Sequence, residues 1–466
     1  MNRPNLLVVL ADQFRASAIG ALGQDPTRTP ALDRLALEGR VLTHAVSTYP
    51  VCSPARAMLM TGQYPWANGV PFNVNSETAP WGVGLRPDAR CWSDVLADDG
   101  YRLGYVGKWH LTPPTPADEQ FGEGRRDDGK VWDAWTPPAQ RHGFSFWYSH
   151  GCCDRHLEPH YWRTETPHDS PIQIEQWSAE HETDVAIDFL RVAAWSLDEA
   201  PQPFALMVSL NPPHQPFDEV PDRYLPPYAD LSPAELLTRP NVDLDSETGR
   251  QAGEIARHYY AAVTGVDEQV GRMLHELDLL GLADDTVVVF TSDHGMQLGS
   301  HDLLYKNVPF EESARVPFVV RWPGHITPGH DGMLLGSVDV APTLLGLLGL
   351  SEQIPDEVQG IDCSGALLGV DDARRPDFAL YLGPARGNGD PDVRGLRTGT
   401  HKLVVEHRLE SGLRVRLVDL VDDPYELVDV SARHPDLTAQ LLDELATALK
   451  KVGDPFPGLP QMRGAA

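Results

Sequence analysis

Residues 5–13 read Asn-Leu-Leu-Val-Val-Leu-Ala-Asp-Gln, an unbroken apolar run that is closed by an acid and an amide. A run this short and apolar is typical of a strand that is buried on both faces of a sheet. The first strand is predicted at 5–11, and similar runs recur at 101–107, 204–210, 286–291 and 317–321. Because they alternate with helical patterns, the sequence predicts βαβ units around a largely parallel sheet, which is an α/β fold.

The helical patterns and the aperiodic stretches outline the domains. Helices are predicted at 31–38, 57–61, 183–194, 253–280 and 340–348. Residues 113–171, rich in Pro, Gly, Asp, Trp and His, lack clear periodicity and are predicted to be a long insertion, and 212–246 are predicted to be a loop.

After Gly360 the pattern changes to short strands and a closing helix, at 378–382, 401–406, 414–420 and 437–450. This change in pattern predicts a catalytic domain over 1–365 and a smaller α+β domain over 366–466.

The net charge and the cysteine content indicate which partners the protein can bind and in which cellular compartment it resides. The formal net charge of −29 argues against a nucleic-acid or anionic-membrane partner, because contacts to phosphates need clustered Lys and Arg. The apolar run at 5–10 is too short for a signal-peptide core or a membrane span. Five cysteines are an odd and sparse set, which argues against a disulfide framework. We therefore expect a cytoplasmic protein without nucleic-acid or membrane partners.

Polar clusters follow four of the predicted strands. They are Asp12-Gln13, Lys108-Trp109-His110, His214 and Asp293-His294. In open α/β sheets, ligands bind beyond the carboxyl ends of the strands, so we expect these clusters to converge on one site. Asp12, Asp293 and His294 combine hard oxygen donors with an imidazole, as metal ligands do. The alternative is that Asp12 caps a helix and Asp293 forms a turn with Gly295.

A fifth cluster, Cys52-Ser53-Pro54-Ala55-Arg56, precedes the helical run 57–61. Pro54 suits the first turn of a helix, which places Cys52 at a helix N-terminus. There the backbone N–H groups and the helix dipole favour an anion. The pattern favours a reactive residue in an anion site over a buried structural cysteine beside a surface arginine.

This pentapeptide resembles the motif that sulfatases present to the formylglycine-generating enzyme, and other family blocks follow in order. They are Thr61-Gly62-Gln63-Tyr64, Gly107-Lys108-Trp109-His110, Asn211-Pro212-Pro213-His214-Gln215-Pro216-Phe217, Thr291-Ser292-Asp293-His294-Gly295, Lys306 before a Pro-Phe-Glu-Glu-Ser segment, and Asp419-Leu420 ahead of Asp423-Pro424-Tyr425-Glu426. The chain is identified as a member of the type I, formylglycine-dependent sulfatases of the alkaline phosphatase superfamily. The resemblance covers nearly the whole chain and is weakest over 113–171. It implies a large alkaline-phosphatase-like α/β/α sandwich domain and a smaller C-terminal domain with an antiparallel sheet.

The resemblance also implies a mechanism. Cys52 is oxidised to an aldehyde and hydrated to a geminal diol. One hydroxyl attacks sulfur, and loss of a proton from the other releases sulfate. The implied ligands of one divalent cation are Asp12, Gln13, Cys52, Asp293 and His294. The implied catalytic residues are Arg56 and Lys108, which orient the diol, His110, which accepts the proton, and His214 and Lys306, which bind sulfate and support the leaving alkoxide.

Two positions depart from the commonest family pattern. Gln13 stands where many sulfatases have a second Asp, and His294 stands where many have Asn. Calcium is the expected ion. Mn²⁺ and Mg²⁺ are alternatives, because the amide of Gln13 removes a negative charge and the imidazole of His294 is softer than an amide oxygen. Relatives that cleave phosphonate monoesters and phosphodiesters can carry the same variants, so that hydrolysis is the alternative activity.

Three other readings fit less well. A two-zinc phosphatase or phosphodiesterase needs a second metal cluster, often a His four residues after an Asp, and none of the 18 histidines has that spacing. A non-catalytic binding protein is expected to lose the nucleophile or the ligands. A structural zinc site at Cys152, Cys153, His156 and His160 matches no standard spacing.

The insertion is rich in aromatic side chains that suit either stacking on a sugar or aryl ring or packing against the main domain. They are Trp132, Trp135, Trp147, Tyr148, Tyr161 and Trp162. The acidic surface repels a polysulfated chain but not a small anion drawn into a locally positive pocket. We expect the substrate to be a small sulfated carbohydrate, cleaved at an exposed end, or an aryl sulfate.

Overall fold

The computed structural model describes residues 3–23, 25–199, 202–384, 392–408 and 412–456. The strands are β1 (Asn5–Ala11), β2 (Arg40–Val46), β3 (Arg102–Lys108), β4 (Phe146–His150), β5 (His160–Arg163), β6 (Ile172–Gln173), β7 (Phe204–Leu210), β8 (Thr286–Ser292), β9 (Phe318–Arg321), β10 (Gly329–Gly336), β11 (Ala379–Gly383), β12 (Asp392–Arg397), β13 (His401–Arg408) and β14 (Gly412–Asp419). The α-helices are α1 (Pro30–Glu38), α2 (Cys52–Thr61), α3 (Pro65–Asn68), α4 (Trp92–Asp98), α5 (Asp118–Phe121), α6 (Ser178–Glu199), α7 (Pro233–Leu236), α8 (Glu247–Leu279), α9 (Glu311–Ala314), α10 (Val340–Leu347), α11 (Ser364–Leu367) and α12 (Pro435–Lys451).

The large sheet has the strand order β10-β2-β9-β8-β1-β7-β3-β4-β5-β6. Its central strands β8, β1, β7, β3 and β4 are parallel. Antiparallel pairs lie toward the edges, where β9 pairs with β8 and β2, and β5 pairs with β4 and β6. The predicted parallel sheet is confirmed at its centre, and the edges make it a mixed sheet.

Helices cover both faces of this sheet because its central strands are apolar on both sides. Leu7 and Val9 of β1 belong to a core shared with α1, α6 and α8, whereas Leu6 and Val8 belong to a second core shared with α2, α4 and α10. This arrangement confirms the α/β/α sandwich. In the described ranges, no helix combines the length and apolarity needed to cross a membrane.

The antiparallel sheet β11-β12-β13-β14 is the smaller layer that was expected near the C-terminus. Leucines of α12 pack in a core that also contains Tyr49 and Val51, which lie just before Cys52 in the chain. The N–H of Leu382 in β11 donates to the carbonyl of Thr48 at 2.7 Å. The small sheet therefore supports the segment that leads into α2.

The aperiodic stretch 113–171 contains regular structure that its pattern did not reveal. β4 and β5 lie within it and extend the large sheet beyond β3. Since β4 reads Phe-Trp-Tyr-Ser-His and is buried at four of its five residues, it shows no alternation of polar and apolar residues. The edge strand β10 and its neighbour β2 were also absent from the predicted set.

Candidate active site

The carboxyl ends of β8, β1, β7 and β3 meet at one edge of the sheet, and the polar clusters of the sequence lie there. Asp12 and Gln13 follow β1, Lys108 ends β3, and Asp293 and His294 follow β8. The N–H of Gln13 donates to Oδ1 of Asp293 at 3.1 Å, and Nζ of Lys108 donates to Oδ2 of Asp12 at 2.6 Å. The convergence predicted from the strand ends is thus observed.

Cys52 is buried at the first residue of α2 and lies within this group. Its Sγ is 3.4 Å from Nε2 of His294, 3.5 Å from Nζ of Lys306 and 4.0 Å from Nζ of Lys108. Burial would raise the pKa of the thiol, but the Lys108 and Lys306 ammonium groups hold it well below its usual range. The surroundings of residue 52 therefore stabilise negative charge.

Two buried carboxylates, Asp12 and Asp293, share one arginine. Arg56 donates through Nε to Oδ2 of Asp293 at 2.9 Å and through Nη2 to Oδ2 of Asp12 at 3.1 Å. Burial raises the pKa of Asp12, yet Lys108 and Arg56 bring it well below its usual range. Burial and the charge of Asp12 together raise the pKa of Asp293. The two carboxylates repel each other, which a cation between them would relieve.

The donor set fits such a cation. Ligand atoms of Asp12, Cys52, Asp293 and His294 all lie within 4.8 Å of one another. Nδ1 of His294 is 2.9 Å from the carbonyl of Gly295, so an N–H there leaves the lone pair on Nε2, which is 3.4 Å from Oδ1 of Asp12. Oxygen and imidazole acceptors thus face one point. Gln13 lies beside them, with its Oε1 accepting from Nζ of Lys306 at 2.8 Å.

His110 presents an unpaired ring nitrogen to this site. Its Nε2 is 3.0 Å from the carbonyl of Val74, its buried Nδ1 makes no hydrogen bond of normal length in the described residues, and the Cys52 thiol interacts with the ring. Burial lowers the pKa of His110, so its ring is neutral and Nδ1 can accept a proton.

Both His110 and Gln13 have positive φ angles, 56° and 64°. Such angles are uncommon outside glycine and indicate a backbone that is held in place by its surroundings.

His214 lies near the two lysines. Its Nδ1 is 2.8 Å from the carbonyl of Gln215 and 3.6 Å from Oδ1 of Asp154. Burial and the charges of Lys306 and Lys108 lower the pKa of His214 to about 4. The free imidazole is therefore neutral near pH 7, and a nearby anion would favour its protonation.

Sequence reasoning gave no role to several residues that position these groups. Oδ1 of Asn211 accepts from Nζ of Lys108 at 3.1 Å, and Oγ of Ser209 accepts from Nη1 of Arg56 at 2.7 Å. Asn211 directly follows β7, so its strand-end position is a signal that could have identified it. Ser209 lies inside β7 and Asp154 lies in the aperiodic stretch 113–171, where no local pattern marks them.

The alternative zinc site is not among the groups of metal-ligand spacing found in the described residues. Nε2 of His160 is 2.6 Å from Oδ2 of Asp133, and Nε2 of His156 is 2.9 Å from the carbonyl of His214. His156 therefore connects the 113–171 stretch to the site through His214, whereas His160 holds that stretch together internally. The aromatic residues Trp147, Tyr148, Tyr161 and Trp162 are buried and pack, whereas Trp132 and Trp135 stay half-buried.

Comparison with known proteins agrees with this geometry. A family model described as Sulfatase matches residues 4–350. The chain belongs to the sulfatase family. A second model, described as N-sulphoglucosamine sulphohydrolase, C-terminal, matches residues 299–453. The chain is thus an enzyme that hydrolyses sulfuric esters, with the fold of the alkaline phosphatase superfamily.

Relatives match this sulfatase over nearly its whole length. An endo-4-O-sulfatase of Bacteroides thetaiotaomicron is 39% identical, with 97% of this chain and 93% of the relative covered. An ulvan-active sulfatase of Formosa agariphila is 31% identical, with 97% and 82% covered. A solved structure described under the metabolism of multiple glycosaminoglycans by Bacteroides thetaiotaomicron has a TM-score of 0.90 at 38% identity, with 97% of each chain covered.

Proposed function

We propose that this sulfatase removes a sulfate group from a sugar, using residue 52 as formylglycine and one divalent cation. The observation that carries the proposal is the cluster of Asp12, Cys52, Asp293 and His294 ligand atoms within 4.8 Å. Around it lie the cationic groups of Arg56, Lys108 and Lys306. They make the pocket positive inside a chain of net charge −29.

Asp12, Gln13, residue 52, Asp293 and His294 would hold the cation. When bound, the cation would act as a Lewis acid that lowers the pKa of a coordinated hydroxyl and neutralises sulfate charge. Calcium is our first choice, because most of these donors are oxygens, and Mn²⁺ or Mg²⁺ are the alternatives that the imidazole of His294 leaves open.

The remaining residues handle protons and sulfate oxygens. Arg56 and Lys108 orient residue 52, whose hydrated aldehyde would supply the attacking hydroxyl. Nδ1 of His110 would accept the proton of the second hydroxyl, since that nitrogen is buried without a partner. His214 and Lys306 would bind the sulfate, and a proton from His214 or the charge of Lys306 would stabilise the leaving alkoxide.

The proposed substrate is a sulfated carbohydrate. Two relatives above 30% identity are named for such chemistry, an endo-4-O-sulfatase and an ulvan-active sulfatase. The first name indicates cleavage within a chain, whereas the acidic charge of this sulfatase favours a short substrate cleaved at an exposed end. The length of the accepted oligosaccharide is therefore the property to measure.

A substrate panel tests the activity. It contains sulfated mono- and oligosaccharides with 4-O- or 6-O-sulfate, 4-nitrophenyl sulfate and a phenyl phosphonate monoester. We expect the highest kcat/KM on a sulfated sugar, since this ratio reports binding of the transition state. Efficient turnover of the phosphonate with every sulfated sugar inert would overturn the proposal in favour of phosphonate or phosphodiester hydrolysis.

Peptide mass spectrometry tests the nucleophile. Protein co-produced with a formylglycine-generating enzyme should carry an aldehyde at residue 52, and its activity should scale with the modified fraction. Cys52→Ala is the matched control and should be inactive. Full activity from protein carrying only the thiol would show that the modification is not needed for catalysis.

The cytoplasmic location and the domain boundary near residue 365 stay predictions. Cell fractionation can check the first, and limited proteolysis can check the second.

A further inference from the structure

A pocket of about 240 Å³ opens between the segment 72–81 and the loop that carries Trp132. Its walls include the aromatic rings of Phe72, Trp81 and Trp132, and we call it the aromatic cleft. Trp81 is 62% exposed, and its ring packs edge-on against Phe72 at 6.1 Å between centroids. Phe72 and Trp132 are half-buried. Large aromatic side chains grouped around a concavity, with one of them exposed, are typical of binding sites.

The aromatic cleft adjoins the reacting centre. Oδ1 of Asn73, in the lining of the cleft, accepts from the N–H of Ser53 at 3.0 Å, and Ser53 directly follows the nucleophile. The ring of Trp132 lies 5.9 Å from the ring of His110, centroid to centroid. A molecule in the cleft would therefore lie beside a group whose sulfate occupies the catalytic site.

The cleft is both rigid and amphipathic. Nε1 of Trp132 donates to Oδ2 of Asp128 at 2.9 Å, which fixes the ring orientation. Because Oδ1 of Asn73 is bonded to Ser53, its Nδ2 faces away, and that donor has no acceptor among the described residues. Flat apolar rings beside a free polar donor suit a ligand with an apolar face and a hydroxyl edge, as a pyranose ring has.

The charged side chains at the rim of the aromatic cleft favour a ligand with an uncharged sugar ring. Nζ of Lys130 forms an ion pair with Glu77, so the two charges of the rim balance each other. Arg126, which lies over the Trp132 ring, is likewise paired with Asp154 at 2.5 Å. Within the described lining, no unpaired cation is offered to a carboxylate or a second sulfate.

We propose that the aromatic cleft is a subsite for an uncharged pyranose ring linked to the sulfated sugar. This inference rests on the proposed function, because it assumes a sulfated sugar in the catalytic site. It assigns to Trp81 and Trp132 the recognition of the neighbouring unit, and it makes a disaccharide the smallest substrate that engages both sites.

The test compares Trp81→Ala with Trp195→Ala, a matched control at a tryptophan that is 66% exposed on α6. The substrates are a 4-O-sulfated or 6-O-sulfated monosaccharide, the corresponding disaccharides with an uncharged second ring, and 4-nitrophenyl sulfate. We expect Trp81→Ala to lower kcat/KM about tenfold on the disaccharide, from the loss of one stacking contact of about 1.4 kcal/mol. Values for the monosaccharide and the aryl sulfate should change less than twofold, and Trp195→Ala should match the parent protein on all three.

Binding of the desulfated disaccharide, measured by calorimetry, provides an independent readout that needs no turnover. The parent protein should bind it, and Trp81→Ala should weaken the binding about tenfold. Unchanged kcat/KM and binding in Trp81→Ala, or equal losses on all three substrates, would overturn the subsite. If the parent protein cleaves no sulfated sugar, the proposed function fails separately, and the calorimetry with the desulfated disaccharide alone then decides whether the cleft binds sugar.

Discussion

Two buried clusters of charge in this sulfatase have the same kinds of side chain and different organisation. One, which we propose to be catalytic and call the catalytic cluster, consists of Asp12, Asp293, Arg56, Lys108 and Lys306. The other, the inter-sheet cluster, lies where α9 meets the small sheet and consists of Glu311, Glu312, Glu426, Arg239, Arg397 and Lys402. Both contain side chains at the spacing of metal ligands, since His301, Glu312 and Glu426 also lie close together.

The set of possible ligand atoms distinguishes the two clusters. In the inter-sheet cluster, Lys402 lies 2.8 Å from carboxylate oxygens of both Glu311 and Glu426. In the catalytic cluster, the cations contact Oδ2 of Asp12 and Asp293, and Oδ1 of Asp12 faces the lone pair of His294. Four possible ligand atoms, including a thiol and an imidazole, thus converge in the catalytic cluster and three in the other, which is why we place the proposed cation in the catalytic cluster. Removal of a charge should impair catalysis in one cluster and stability in the other.

The largest effect should come from Asp293→Asn, which keeps the size of the side chain and removes one charge of the catalytic cluster. We expect kcat/KM to fall by about 10³-fold or more, because the cation loses a ligand charge. The melting temperature should change by only a few degrees, since the repulsion from Asp12 is relieved. Elemental analysis should show loss of the metal. Retained activity, or two tightly bound zinc ions per chain, would contradict the single-metal site.

Glu311→Gln makes the matching change in the inter-sheet cluster. It leaves Arg397 and Lys402 with less countercharge in a buried place, so the free energy of unfolding should fall by about 3–5 kcal/mol. The kcat/KM of the folded variant should stay within twofold of the parent value. Denaturant unfolding and kinetics measured on one preparation provide both quantities, with the exposed Glu352→Gln as control. If Glu311→Gln lost activity without losing stability, the proposed difference between a catalytic and a structural cluster would be wrong.

Lys306→Ala tests which part of the reaction the catalytic cations assist. A sugar alkoxide needs a cation or a proton as the S–O bond breaks, whereas a nitrophenolate needs little help. We expect kcat/KM to fall by about 10²-fold on a sulfated sugar and by less than about fivefold on 4-nitrophenyl sulfate. Equal losses on both substrates would assign Lys306 to sulfate binding alone. Lys450→Ala on α12 is the control.

The smallest expected effect is a change in the pH dependence of stability on substitution of His150. This histidine is buried near the catalytic cluster, and its Nε2 lies 3.6 Å from Oε1 of Glu182. Burial lowers the pKa of His150 to about 3 and raises the pKa of the nearby Glu182 to about 8, so both are neutral at pH 7. Since an unfolded histidine binds its proton near pH 6.5, stability should be lost as the pH falls from about 6.5 toward 3.

His150→Gln keeps an acceptor for the N–H of Cys153, which Nδ1 of His150 now receives at 3.0 Å. The slope of unfolding free energy against pH between about pH 6 and 4 should flatten by roughly 1 kcal/mol per pH unit. Denaturant unfolding at several pH values measures this slope, with a Gln substitution at the exposed His434 as control. An unchanged slope would mean that His150 is protonated in the folded protein.

The elements that local pattern predicted well are the central strands. β1 and β7 begin and end at the predicted residues, and α2 places Cys52 at its first residue as expected. A strand buried on both faces is apolar throughout, so its sequence alone reveals it. β2 and β10 were not predicted, because polar residues and glycines interrupt their apolar runs. β2 reads Arg-Val-Leu-Thr-His-Ala-Val, and β10 begins Gly-His-Asp-Gly.

The sequence by itself determined that the polar residues after β1, β3, β7 and β8 meet at one edge, because parallel strands end there and each group follows its strand. Cys52, Arg56 and Lys306 lie elsewhere in the chain and were added by the resemblance to the sulfatases. Only the tertiary structure decided what each side chain does there. The N–H of Gln13 bonds Asp293 across 280 residues, and Asp154 approaches His214 from a stretch without periodicity. The periodicity of the sequence indicates which face of a strand or helix a residue occupies. The direction of a lone pair and the pairing of a charge depend on contacts between distant segments.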